Sequence, residues 1–552
     1  MANMIKIKKK DVLLVVLTSV LYNIASVAFS FLLMNIVDNI TNHNYQAFKS
    51  SIIWALLVIS LQIIFFAIYN IVKGKTTQKQ MISIRSNMLK GIFRFDISHF
   101  HKSEVDEYVS FFYNDIGFLK EKYLYRIYDL VENIGMFFLA MAGIVWIYPF
   151  YVIAIIIIVG IAFFLPLLFG KKSVKYMESI SKSSQKLMLW LQNILKGFDT
   201  VRSYKIESQI VKEGKNVITS FEGSEYKFDL FMNFVQIGLN FIMTILTLLT
   251  YVIGGYLVIK GQITLGALIA LAQLLFKVAS PVMTITSAVT DINSTKDIRN
   301  KLEEISRYNR NEKKHLVSDL ALGNVICMQQ VSFAYSGQEK NVLENISYNF
   351  QKGKRYAITG ENGCGKSTLM KLLAGYLDEY EGHIKVYGNE LKELSDDDVF
   401  KNVSYISQES FVFNKSIREN IFIKEPSQED ERKADKLIKT LHFQLALEKH
   451  PEGAEYILNT SDNLSGGEIQ KISIIRALMK NSNILLMDEG DSNLDQNSRK
   501  DLYRLIGGFD YDLVIVITHH LEKESTEFFD EVIAMKSGKL VSDDAGVKST
   551  PH

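Results

Sequence analysis

The stretch Gly360-Glu361-Asn362-Gly363-Cys364-Gly365-Lys366-Ser367-Thr368 decides the reading of this chain. Its GxxxxGK[ST] spacing is that of a phosphate-binding loop. Glycines at Gly360, Gly363 and Gly365 let successive backbone N–H groups wrap a triphosphate, Lys366 bridges its outer phosphates, and the Ser367 hydroxyl can ligate Mg²⁺. Asn362, Cys364 and Thr368 belong to the same nucleotide-binding loop. Tyr356–Thr359 predicts the strand before it and Ser367–Gly375 the helix after it, the two elements that such a loop joins.

Around this motif the chain divides by composition. It has 552 residues, a net charge of +2 and 48% hydrophobic residues. The balance of charge gives no sign of a nucleic-acid partner. Apolar residues concentrate before about Ser294, and the remainder of the chain alternates charged and apolar residues as a soluble α/β domain does. Only Cys327 and Cys364 are present, which excludes a disulfide framework. The basic Met1–Lys10 leads into an apolar run reaching about Ile40 with no small-residue cleavage site, so a first membrane span is expected there.

Six runs are long enough to cross a bilayer, at about 20 helical residues each. They fall near Val12–Val37, Ile52–Val72, Ile127–Tyr148, Val152–Phe169, Phe231–Ile259 and Leu265–Ile285. The links after the second and fourth runs are long and hold Lys73, Lys75, Arg85, Lys90, Lys171, Lys172, Lys182 and Arg202. By the positive-inside rule both long links and both termini face the cytoplasm. Helices drawn out as far as these links would run well past the bilayer.

The C-terminal part holds further candidates. Ile484–Asp488 reads as a buried strand that delivers Asp488 to a metal region and leaves Glu489 beside it to polarise water. Leu464-Ser465-Gly466-Gly467-Glu468 precedes a helical pattern over Ile469–Met479, so Ser465 would cap that helix and its first amides could meet a phosphate. Gln408 follows the predicted strand Asn402–Ile406, and His519 follows Leu513–Ile517. Polar side chains at such strand ends line the crevice of a parallel α/β sheet.

In this order the pieces resemble the ATP-binding cassette family, and the whole chain resembles a half-transporter of its exporter-type fold. The resemblance implies an all-α six-helix transmembrane domain followed by an α/β P-loop ATPase domain, with boundaries at 1–294, a linker over 295–322, and 323–552. It implies that Tyr335 stacks on adenine and that Gln408 links Mg²⁺ and water to the membrane part. Ser465, Gly466 and Gly467 would complete the partner subunit's ATP site. Ser367, Gln408 and Asp488 would serve the metal, Glu489 would be the catalytic base, and His519 would touch the γ-phosphate. ATP and Mg²⁺ are the implied cofactors, and a second half-transporter, the bilayer and a transported substrate the implied partners. Segments near Ile97–Glu107 and Lys196–Tyr204 resemble the family's coupling helices.

Three departures stand against that pattern. Glu468 replaces the usual Gln, Gly490-Asp491 the usual Ala-Thr, and Glu455–Asp462 lacks the glycine-containing stretch common in exporters. Since no catalytic residue is lost, a homodimer is favoured over the intact half of a heterodimer. The expected activity is ATP-driven movement of a peptide, lipid or hydrophobic drug out across the plasma membrane. A siderophore importer on the same fold, and a regulator without transport, are the alternatives. No peptidase-like Cys/His region precedes the first run, so leader-peptide cleavage is not expected. Lys277, near the middle of the sixth run, would cost at least ~2.5–3.5 kcal/mol on insertion scales, which points to a central cavity, a paired carboxylate or snorkelling. An anionic or zwitterionic substrate group is one expected partner.

Overall fold

The computed structural model describes residues 9–308, 323–335, 340–458, 464–519 and 527–542, with side chains omitted at 154–159, 161–171 and a few other helical positions. The chain splits into two units, residues 1–93 with 105–308, and 94–104 with 309–552.

The first unit is helical. Its long helices are α1 (Lys9–Thr41) and α2 (Tyr45–Ile92), with the short α3 (Ile97–Phe100) that follows them belonging to the second unit. After these come α4 (Val105–Ile147), α5 (Tyr151–Lys196), the short α6 (Phe198–Ser203), α7 (Glu207–Ile259) and α8 (Leu265–Ser294). The amphipathic α9 (Lys296–Arg307) ends the unit. Among the described residues, α1, α2, α4 and α7 each carry an apolar window long enough to cross a membrane, and α8 has an apolar run from Leu265 to Pro281. In hydrocarbon only a helix satisfies every backbone group within one segment, which is why these apolar runs are helical throughout. At 48 residues α2 is about 70 Å long, far more than a bilayer core needs.

The core of this unit forms where α1, α4 and α8 meet. Val27, Met136, Ala140, Ile144, Leu271, Leu274 and Val278 are buried together there. Small residues permit the close approach: a Cβ on Gly143 would lie 3.2 Å from Leu274 Cδ1. At the start of α8, Asp38 of α1 acts as a remote cap. Its carboxylate accepts from the Thr264 hydroxyl and from the Gly266 N–H, both at 2.8 Å. Lower down, Asp129 takes Lys73 at 2.5 Å and Arg126 at 3.2 Å, and Asp291 takes Arg126 at 2.7 Å and Lys122 at 3.1 Å. This alternating network crosslinks α2, α4 and α8. Helix α4 widens to π turns at Phe111–Asp115 and Lys120–Leu124, a local distortion often found at functional segments.

The two segments that resemble coupling helices hold shorter helices than their expected spans. In the first, the Lys102 N–H turns back to His99 O and closes a turn, so α3 stops at Phe100 and α4 starts afresh at Val105. Lys102 Nζ then reaches Glu379 Oε1 at 2.8 Å within the same unit. In the second, Gly197 ends α5, and α6 occupies only Phe198–Ser203.

The second unit is built on two sheets. A four-stranded antiparallel sheet has the order β2-β1-β4-β5, from β1 (Asn324–Phe333), β2 (Leu343–Gln351), β4 (Glu381–Val386) and β5 (Asn389–Glu390). The other has the order β10-β9-β3-β8-β7-β6, from β3 (Lys354–Gly360), β6 (Val403–Ile406), β7 (Ile484–Asp488), β8 (Leu513–Ile517), β9 (Glu531–Lys536) and β10 (Lys539–Ser542). Strands β9, β3, β8, β7 and β6 run parallel. All five residues of β7 and of β8 are buried, as expected of central parallel strands covered on both faces.

Candidate active site

Register brings the sequence candidates to one edge. Ile358 pairs with Ile517, Ile517 with Asp488, and Met487 with Ile406. The carboxyl ends of β3, β8, β7 and β6 are therefore level, and the loops leaving them carry Gly360–Gly365, His519, Glu489 and Gln408. That edge is where α/β sheets bind ligands.

The loop after β3 has the form that phosphate binding requires. Gly363 has φ +80 at the exposed tip, a backbone conformation that a side chain would oppose. Gly360 has φ +152, and a Cβ there would lie 2.3 Å from Met535 O, so only glycine fits between the loop and β9. Helix α10 (Lys366–Leu373) opens directly after Gly365, which aims its first amides into the loop. Lys366 is only 5% exposed, and its ammonium bonds Gly360 O at 2.8 Å and Glu361 O at 3.0 Å. Asn362 lies at the exposed tip, and Cys364 is buried beneath it. Thr368 and Tyr335 are joined through their hydroxyls at 3.2 Å, which seats Tyr335 beside the loop.

The donors around Asp488 fit a hard cation held between protein and phosphate. Ser367 Oγ donates to Asp488 Oδ1 at 3.1 Å and the Tyr405 phenol to Oδ2 at 3.1 Å. One hydroxyl and one carboxylate with room for phosphate oxygens is the usual protein share of a Mg²⁺ site. Burial raises the Asp488 carboxyl above its ordinary range, and the bonds from Ser367 and Tyr405 oppose that rise. Burial, reinforced by the charge of Asp488, also raises the Tyr405 phenol, so it remains a donor.

Beside this pair, Glu489 gathers the other candidates. Its Oε2 accepts from Gln408 Nε2 at 2.8 Å and its Oε1 contacts His519 Nε2 at 3.0 Å. Its backbone sits at φ 49, an unusual conformation for a carboxylate residue and a form of local strain common at functional sites. The site thus holds a carboxylate that can accept a proton, an amide and an imidazole that hold its two oxygens, and a lysine that can offset negative charge.

Ser465 caps α11 (Gly466–Met479) in a capping box: its hydroxyl accepts from Glu468 N–H, and the Glu468 carboxylate accepts from Ser465 N–H at 2.8 Å. This accounts for Glu468 in place of Gln, since the carboxylate also holds Lys449 at 2.6 Å. Burial would raise that carboxyl, and the bonds from Lys449 and Ser465 outweigh it and hold it low. A Cβ on Gly467 would fall 2.7 Å from Asn493 O, so the helix start lies directly on the loop after Glu489. The divergent stretch 455–462 lies in part outside the described residues.

Sequence reasoning missed Gln470, Tyr405 and the half-buried acids of α4. Gln470, fully buried, donates to Glu489 O and accepts from Asn493 N–H, both at 3.1 Å. Its place one turn after a helix cap next to an acidic strand end was the available signal. Asp129 and Glu132 interrupt the third apolar run and were legible as such.

Comparison with known proteins assigns both units. The family model for the ABC transporter transmembrane region matches residues 12–281, and that for the ABC transporter matches 343–492. The chain belongs to the ABC transporters. A bacterial Atm1-family ABC exporter with ATP bound superimposes with a TM-score of 0.83 at 18% identity, over 97% of this chain and 94% of that one, which shows the exporter fold. Over 51% of this transporter and 48% of the relative, it is 31% identical to an ATP-dependent lipid A-core flippase of Coxiella burnetii. Over 92% and 71% it is 24% identical to a leukotoxin translocation ATP-binding protein of Mannheimia glucosida. This ABC transporter is a half-transporter chain: a multi-pass membrane protein and ATP-hydrolysing translocase whose fold implies a dimer.

Proposed function

We propose that this transporter acts as a homodimeric exporter in the plasma membrane, its termini and ATPase domain cytoplasmic, and that it moves a peptide, lipid or hydrophobic drug-like molecule by alternating access. The domain limits are 1–294, a linker over 295–322, and 323–552. One observation supports this reading: both motifs are whole in one chain, with Lys366 seated in its loop on Gly360 O and Glu361 O and Ser465 capping its helix through Glu468. Each ATP is then held between one copy's phosphate loop and the other's helix cap. Since Glu489, His519 and Ser465 all occur in one chain, two identical copies make two complete sites. The names of the Coxiella and Mannheimia relatives support an amphipathic or proteinaceous cargo.

In this reading Tyr335 stacks on adenine and Lys366 neutralises charge on the transferred phosphoryl group. Ser367, Asp488 and the Gln408 amide would hold Mg²⁺, which would supply further charge stabilisation. Glu489 orients the attacking water and accepts its proton, with Gln408 and His519 fixing its two oxygens. His519 and the partner's Ser465 meet the γ-phosphate. ATP closes the two ATPase units together, hydrolysis releases them, and α3 and α6 pass each movement to the long helices.

Complementation tests the shared site. Lys366→Ala and Ser465→Arg chains should each be inactive alone, and their co-expressed mixture should regain ATPase activity, since one mixed site is intact. No recovery would overturn the arrangement. Stimulation of the reconstituted protein across peptides, lipids, dyes and iron chelates then assigns the cargo, and preference for the chelates would favour import.

A further inference from the structure

Helix α8 carries Gln273, Lys277, Ser280, Thr284 and Ser287 at alternating spacings of four and three, which puts them on one face. The opposite face is the buried Leu271, Leu274 and Val278. Gln273, Ser280 and Ser287 are exposed. The Thr284 and Ser287 hydroxyls donate to the helix's own carbonyls of Ser280 and Thr284 at 3.2 and 2.9 Å, leaving their oxygens outward as acceptors. A polar face along an apolar helix is unfavourable against lipid and suits a wet path.

Lys277 is the one cation on that face. Its ammonium donates to Ser26 O and to Ser30 Oγ at 3.1 Å, both on α1. An ammonium has three donors, so one is unspent. Among the described residues no carboxylate pairs with it. Acids elsewhere on α1, α4 and α8 have other partners: Asp38 has the start of α8, Asp129 has Lys73 and Arg126, Asp291 has Arg126 and Lys122, and Glu132 has the Tyr69 hydroxyl. Hydrogen bonds to neutral oxygens satisfy donors and leave the charge uncompensated.

We propose that Lys277 is the anion receptor of the transport path, and that the cargo is an amphipathic molecule with one anionic headgroup: carboxylate, phosphate or sulfonate. Ser26 and Ser30 hold the ammonium in place, its remaining donor bonds the anion, and the hydroxyl oxygens of the same face accept the rest of the headgroup's hydrogen bonds. This rests on the exporter reading and narrows it.

The test uses the full-length protein in phosphatidylcholine nanodiscs with three pyrene probes that differ only in headgroup: butyrate, butanol and butylamine. Wild type should bind pyrenebutyrate most tightly and respond to it with increased ATPase activity. Lys277→Met should lose about tenfold in affinity for the butyrate and little for the butanol, and Lys277→Arg should restore the preference. If phosphatidylglycerol added to the disc stimulates wild type but not Lys277→Met, the anion comes from a lipid; if only the soluble probe does, it is a free amphiphile. Equal loss for all three probes would make Lys277 a helix clamp and overturn the proposal, as would an unchanged preference. Wild type that hydrolyses ATP but ignores every anion sinks this inference alone, whereas wild type without ATPase activity sinks the reading beneath it.

Discussion

The Asp491 carboxylate accepts a hydrogen bond from the Thr518 hydroxyl at 2.8 Å, which ties the loop after β7 to the residue before His519. Asp491 is 1% exposed and also holds the Tyr503 phenol at 2.9 Å, with Arg499 Nε at 3.6 Å. A residue that departs from the family pattern has thus become a buried junction. Asp491→Ala should destabilise the ATPase domain by about 3–5 kcal/mol, because it strips the partners of a buried charge. Asp491→Asn, which keeps an acceptor, should cost clearly less. Denaturant unfolding followed by a domain-specific probe checks this, and a loss under ~1 kcal/mol for the alanine variant would contradict the junction.

Glu489→Gln keeps the bond geometry to Gln408 and removes the proton acceptor. ATP hydrolysis should fall by a factor of about 10² to 10⁴, with ATP affinity little changed. Nucleotide binding by equilibrium dialysis beside steady-state ATPase separates the two, and substantial residual turnover would exclude Glu489 as the base.

Tyr405→Phe keeps the edge packing on Tyr376, whose ring centroid is 5.2 Å away, and deletes one bond to Asp488. That bond favours the ionised carboxylate, so removing it moves the Asp488 pKa further up. On acidification, activity should then be lost at a higher pH than in wild type. The acid limb of the ATPase profile should therefore move to higher pH. A limb that stays in place, or moves down, refutes this role for Tyr405.

Gly467→Ala puts a methyl group 2.7 Å from Asn493 O, a backbone atom with little freedom to retreat. The variant should bind ATP as wild type does and lose ATPase activity at least tenfold, since the displaced loop follows Glu489 directly. Wild-type turnover would mean the loop yields cheaply.

Much of this was legible in the sequence, for physical reasons. A phosphate loop tolerates little variation, and the parallel strands around it are unbroken apolar runs such as Ile484–Met487, so their ends locate Glu489 and His519. The long helices showed as apolar runs bounded by lysines. What stayed hidden depended on distant pairing. Gln470 and Tyr405 look like ordinary helix and strand residues until folding brings them to Glu489 and Asp488. The helices within 97–107 and 196–204 end where a single turn at Lys102 and Gly197 place them, which the sequence pattern did not show. Lys277 was visible as an anomaly, but only α1 reveals which oxygens hold it.

The two bonds from Asp38 to Thr264 and Gly266 bear on motion. A Cβ at Gly266 would touch Met34 O at 2.2 Å, so the two backbones are already in contact where the carboxylate locks them. Locked there, the first and last membrane helices must swing together at that end. Whatever bending the cycle demands falls to other segments, and the two π turns of α4, where the backbone ladder is already slack, are the natural place for it to yield.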